Sequence, residues 1–336
     1  MNDGVRPCID IHTHVVPENF PPHARAAADV AWPSMAPAHA CHRHVMLSGK
    51  VYRTVPDTSW DIARRVAGMD AQRVARQVLS PMPELLSYWL DGADGAALCR
   101  YLNEQIAAMV EREPGRFFGL GAVPLQDVDR AIVELEHLMG ELGLAGVEIG
   151  TNVDGVVLGD PTLAPFFAAA ERLGAAIFVH PLRPCGMERL VGPPLLQQVL
   201  AFPGETGLAA ASLITAGTLA RHPRLRIALS HGGGTLAALL PRLAHAWRTL
   251  PALKETLPDD PLETARAFWV DSLVYEGDSI RRLIERFGET RVVVGSDFPF
   301  AIADADPVGR IRGLGLDART EALLFSENAL RWLGKS

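Results

Sequence analysis

Short apolar runs alternate along this chain with longer stretches that place apolar residues three or four apart. Runs with the length and composition of strands lie at 7–14 (PCIDIHTH), 74–80 (VARQVLS), 117–123 (FFGLGAV), 146–151 (GVEIGT), 175–180 (AAIFVH), 226–231 (RIALSH), 268–274 (FWVDSLV) and 291–297 (RVVVGSD). Helical spacing occupies 61–71, 94–113, 127–142, 160–173, 205–222, 233–248, 277–288 and 319–333. Eight strands with helices between them predict an α/β fold, a (β/α)8 TIM barrel. Residues 15–60 break the rhythm. This Pro-, His- and Ala-rich stretch is too long for an ordinary strand-to-helix loop, and is expected to fold over the barrel mouth as a small lid, with a β-hairpin around KVYRTV. No repeat or linker marks a second unit, so residues 1–336 are expected to form a single barrel domain.

Alternation along the first strand gives its polar residues a direction. Side chains two apart share a face, so Cys8, Asp10, His12 and His14 are expected to point into the barrel, with Ile9 and Ile11 towards the helices. His12 and His14 then stand at the C-terminal end of a barrel strand, where this fold places its chemistry. Three other strands end in matching groups: FVHP delivers His180, LSHGGG delivers His231 and VGSDFP delivers Asp297. A lone histidine at a strand end is ordinarily a structural hydrogen-bonding residue. Convergence of all these groups on one end of one barrel points instead to a divalent metal site, since imidazole and carboxylate suit Zn²⁺ or another first-row ion with a position left open.

Composition narrows the setting. The chain has 336 residues, a net charge of −7 and a pI near 5.9, with no cluster of Lys and Arg. That balance argues against nucleic acid or an anionic membrane surface as a partner and leaves a small molecule. Cys8, Cys41, Cys99 and Cys185 have neither metal-knuckle spacing nor disulfide-framework density, and no signal segment or long apolar run appears. A cytoplasmic location is expected.

The ordered set DIHTHVVP, KVYRTV, MPELLSYW, GRFFGLGAVPLQ, GVEIGTNV, AAAERLGAAIFVHP, ALSHGGGTLAALLPR and VVVGSDFPF resembles the amidohydrolase superfamily, in its aminocarboxymuconate-semialdehyde decarboxylase branch. The likeness runs from about Ile9 to Leu333. It implies that His12, His14, His180 and Asp297 hold one divalent ion per chain, Zn²⁺ being the expected metal. His231 is implied to be the acid/base beside the metal-bound water. Arg53 and Arg242 match two arginines that grip substrate carboxylates, one of them reaching in from a neighbouring subunit, so the resemblance also implies a homodimer. The residue chemistry agrees: four ligands are supplied without His231, and guanidinium forks suit carboxylates.

Other positions leave alternatives open. Glu148 ends the fourth strand, where it either bridges a second metal, which would favour hydrolysis, or is a buried glutamate held by a hydrogen-bond donor. Gly232, Gly233 and Gly234 either admit a ligand close to the backbone or form a tight turn. Asp10 is expected either to orient a ligand histidine or to bond to the insertion. Gln197 or Gln198 stands where relatives carry a Trp, and Leu182 and Arg183 where they have Trp and Asp; Arg183 either serves a second carboxylate or pairs with Glu188. The function expected is metal-dependent, non-oxidative decarboxylation of a conjugated acid, such as 2-amino-3-carboxymuconate 6-semialdehyde or a related muconate or hydroxybenzoate. A lactone or amide hydrolase on the same barrel is the alternative, separated by CO₂ release, and a catalytically silent binding protein is a third reading.

Overall fold

The computed structural model describes residues 7–24, 30–257 and 259–335. In chain order the strands are β1 Ile9–Val15, β2 Ser34–Pro37, β3 His42–Leu47, β4 Lys50–Pro56, β5 Arg76–Pro81, β6 Phe117–Gly121, β7 Gly146–Gly150, β8 Asn152–Val153, β9 Val156–Val157, β10 Ala176–His180, β11 Arg226–Leu229, β12 Trp269–Asp271 and β13 Val292–Val293. Eight of them form one parallel sheet in the order β1-β5-β6-β7-β10-β11-β12-β13. Parallel bridges from Asp10 to Val294 and from Thr13 to Phe298 bring the last strand back to the first. The sheet closes into the expected (β/α)8 barrel.

Helices between the strands begin where the sequence supplies caps. Asp61, Asp91 and Asp127 each accept backbone N–H bonds at the start of Ile62–Ala71, Gly92–Arg112 and Val128–Gly140, a contribution of about 1 kcal/mol apiece. The insertion contains more than a hairpin: β2, β3 and β4 form a three-stranded antiparallel sheet, with KVYRTV in β4. Residues 25–29 of the insertion lie outside the described residues.

Strand β1 departs from simple alternation. Its pairing with β5 slips between Asp10 and Thr13, a bulge that places one extra residue at Ile11–His12. Ile9 and Ile11 therefore face the barrel interior, where they pack with Val78, Leu120, Phe178, Trp269, Val293 and Trp332, and beyond the bulge His12 and His14 face inward too. Asp10 is turned outward, with its neighbour Gln77, which accepts from the buried Arg65 on the surrounding helix. The expectation that Ile9 and Ile11 face the helices and Asp10 the interior is corrected by that one inserted residue. The apolar layer is the floor on which the polar end of the barrel rests.

Candidate active site

At the C-terminal end of the barrel His12, His14, His180 and Asp297 each present one ligand atom, all within 4.8 Å of one another and all from buried residues. Each histidine is held by its other nitrogen. His12 Nδ1 lies 2.6 Å from Asp271 Oδ2, His14 Nδ1 3.1 Å from the Pro81 carbonyl and His180 Nδ1 3.0 Å from the Pro181 carbonyl. His12 Nε2 and His14 Nε2 converge on Asp297 Oδ1 at 3.4 and 3.2 Å. None of those three atoms has a hydrogen-bond partner among the described residues. Buried polar atoms left this way cost roughly 1–3 kcal/mol each, and one divalent cation among them would satisfy all three, so the donor set fits a metal.

The backbone is also bent to serve this end. His231 and Asp297 have φ of 54° and 65°, in the left-handed region that non-glycine residues avoid. Gly232, Gly233 and Gly234 follow with positive φ, and a Cβ at Gly234 would meet the Pro203 carbonyl at 2.0 Å. The glycines thus build the tight turn. Gly295 has a different duty: a side chain there would meet the Cβ atoms of Asp271 and His12 at 2.8 and 2.9 Å, so its absence lets those two residues meet.

Asp271 is the member of the site that sequence reasoning missed. Besides His12 it accepts from the backbone N–H groups of His231 (3.0 Å), Gly232 (2.8 Å) and Leu273 (3.0 Å). One carboxylate therefore fixes both a ligand ring and the turn that presents His231, the role considered for Asp10. Its signal was present in FWVDSLV, where an acid two residues after Trp269 ends an inward-facing set. Asp10 instead accepts from the Ser296 hydroxyl at 2.5 Å and from the His12 backbone N–H at 3.1 Å.

Electrostatics follow from burial and pairing. Burial opposes a charge on His12, but the hydrogen bond to Asp271 and the Asp297 carboxylate close to its other nitrogen overcome it and push the ring up to about 10. Burial lowers His14, drives His180 well down, and with the charge of His12 brings His231 to about 4. Burial would raise Asp297, yet the His12 and His14 rings close to its carboxylate hold it well below the usual carboxylate range. Glu148 stands beside this set rather than in it, with Oε2 3.6 Å from His14 Nδ1. The Ser80 hydroxyl lies 3.0 Å from the Thr13 carbonyl and 2.5 Å from Glu148 Oε2. Its single hydrogen cannot serve both, and a proton on Glu148 supplies the second bond, in keeping with burial pushing that acid up to about 8.

A cavity of about 330 Å³ opens above the four groups, lined by His180, His231, Asp297, Arg53, Glu84, Gln198, Phe202, Tyr275 and Phe300 among others. Arg53 reaches it from β4 of the lid, its guanidinium 4.4 Å from the Phe300 ring centre, and Phe300 stacks on His14. Gln198 lines this cavity, and Gln197 lies in an adjoining crevice. Arg183 lies over Trp89 at 3.5 Å instead of pairing with Glu188, and Leu182 is buried. Arg242 is exposed on the helix Leu236–Thr249 and does not line the cavity of its own chain.

This barrel has known counterparts. Residues 9–335 match the amidohydrolase family. The chain belongs to that family. This amidohydrolase is 36% identical over 329 residues to the 2-amino-3-carboxymuconate-6-semialdehyde decarboxylase of Dictyostelium discoideum, a match covering 97% of the chain and 91% of the relative. Among solved structures, 5-carboxyvanillate decarboxylase from Sphingomonas paucimobilis superposes with a TM-score of 0.82 at 24% identity, over 98% of this chain and 99% of that one. The 5-carboxyvanillate decarboxylase of Novosphingobium aromaticivorans with bound manganese gives 0.74 at 25% identity, over 83% and 82%. Among the described residues no helix is long and apolar enough to cross a membrane.

Asp271→Asn should lower metal affinity by about 10- to 100-fold, the range for a group that orients a ligand. Chelator competition measures it, and an unchanged affinity would remove Asp271 from that role.

Proposed function

We propose that this amidohydrolase is a metal-dependent, non-oxidative decarboxylase of a conjugated carboxylic acid, an aminocarboxymuconate semialdehyde or a related carboxylated muconate or hydroxybenzoate. The observation that carries the reading is the buried three-histidine, one-aspartate set with His231 beside it at the base of the cavity, in a chain aligned almost end to end with a decarboxylase. A divalent ion, Zn²⁺ in this reading, supplies Lewis acidity and a more acidic water when bound.

The protein's own residues account for the remaining steps. Arg53 holds a carboxylate in the cavity, with Phe300 behind its guanidinium fixing its position. Phe202, Leu273, Val274 and Ile302 line apolar walls that limit water around the departing CO₂. The carbon–carbon bond to the carboxylate breaks, its electron pair passes into the conjugated system, and His231, neutral at rest, relays to that carbon a proton taken up from solvent. No redox cofactor enters the balance. Metal-loaded protein should therefore release CO₂ without O₂ when screened against carboxylated muconate semialdehydes and hydroxybenzoates. A substrate converted with every carboxyl carbon retained would move the assignment to a hydrolase.

Arg242 acts in this account on the cavity of a second copy. Val191 is 94% exposed and Leu195 69%, and Val199, Leu200, Leu208 and Leu239 are exposed on the adjoining helices. Such an apolar face favours a dimer. If each cavity takes Arg53 from one chain and Arg242 from the other, mixing inactive Arg53→Ala and Arg242→Ala proteins should restore activity in hybrid dimers, which hold one intact site in two. No recovery after demonstrated subunit exchange would place both arginines within one chain.

A further inference from the structure

We infer that Glu84 selects the substrate: its carboxylate accepts a hydrogen bond from a hydroxyl or amino group carried by the acid that Arg53 binds. The inference deepens the proposed decarboxylase reading and rests on it for the nature of that acid. Glu84 lies in the short turn Pro83–Leu86 that follows β5, only 6% exposed, and lines the same cavity as Arg53, His180, His231 and Asp297. The Tyr52 hydroxyl, on β4 of the lid, donates to Glu84 Oε1. Oε2 is buried and has no hydrogen-bond partner among the described residues.

A purely structural duty covers only half of this arrangement. Anchoring the lid to the barrel explains the bond from Tyr52, and an apolar residue would serve as cavity wall. Neither explains a second carboxylate oxygen left buried and unsatisfied on a residue that lines the substrate's chamber, since that loss exceeds what one hydrogen bond returns. A donor arriving with the substrate removes the deficit.

The neighbours of Glu84 then set the orientation of what binds. Tyr52 and Arg53 are consecutive on β4, so one lid strand carries both the hydroxyl that holds Glu84 and the cation for a carboxylate. A substrate carboxylate is drawn to Arg53 and repelled by Glu84, while a hydroxyl or amino group meets the reverse preference. An acid that lacks the donor leaves Oε2 unpaired, and sites built to bond a hydroxyl or amine discriminate strongly against analogues without one. Glu84 is here a specificity-determining group: it touches substrate and takes no part in the bond that breaks.

The test reads binding, so it does not depend on turnover. Metal-loaded protein is titrated calorimetrically with benzoate and with the ortho, meta and para isomers of hydroxybenzoate, aminobenzoate and methoxybenzoate. For at least one ring position the hydroxy or amino compound should bind about tenfold or more tightly than its methoxy counterpart, which cannot donate through oxygen. Glu84→Leu should reduce that preference to within about twofold. In Glu84→Gln, a near-isosteric variant that guards against a folding defect, the Tyr52 hydroxyl takes the amide oxygen and turns an N–H donor to the cavity, so the preference should vanish or invert. Metal content and melting temperature are read alongside, which separates a direct contact from a disturbed ligand set. Absence of any such preference in the wild-type protein, or its survival in both variants, would overturn the inference. Failure of CO₂ release with the preference intact would instead count against the decarboxylase reading alone.

Discussion

Alanine at His12, His14, His180 or Asp297 is expected to remove bound metal and decarboxylation together, leaving less than about 1% of activity. The expectation follows from the economy of the site. Four ligand atoms lie within 4.8 Å of one another, and two further acids close by stand outside that group, Asp271 engaged by His12 and backbone N–H groups and Glu148 by Ser80. Losing an orienting partner behind a ligand already costs about 10- to 100-fold in affinity, and losing the ligand itself costs more. Elemental analysis should find about one ion per wild-type chain. Two ions per active chain would instead give Glu148 a bridging role and favour hydrolysis.

His231→Ala should behave differently, keeping most of the metal while losing activity by about 10² or more, the scale of a positioned acid/base. The ring sits 5.2 Å from that of His12 and 5.1 Å from that of His180, close to the ligands without being one of them. Its turn is held by backbone bonds to Asp271, so removing the imidazole leaves the turn, and the orientation of His12, in place. Metal loss as deep as in His12→Ala would contradict the assigned role.

The barrel and the metal set were legible in the sequence because both depend on local pattern. Apolar runs spaced by amphipathic helices gave the strands, and the strand ends gave His12, His14, His180, His231 and Asp297. What alternation could not show is the bulge in β1. A strand's period is two, so one extra residue reverses every face after it, and Asp10 was placed inside when it is outside. Asp271 then took the role considered for Asp10, from a strand whose own signal was an acid near its end. Residues of the cavity wall were harder still. Glu84, Tyr275 and Phe300 sit on turns and loops whose paths depend on tertiary packing, and no period in the sequence points them at His231. Arg53 and Arg242 came from resemblance alone. The structure brings Arg53 to the cavity and leaves Arg242 exposed outside it.

The most direct test of the central claim is one turnover experiment in D₂O under anaerobic conditions, with the substrate found by the CO₂ screen. The account predicts one equivalent of CO₂ and a product carrying a single deuterium at the carbon that bore the carboxylate, with no pyridoxal, thiamine or flavin added. A ring-opened or hydrolysed acid that retains every carboxyl carbon would contradict it.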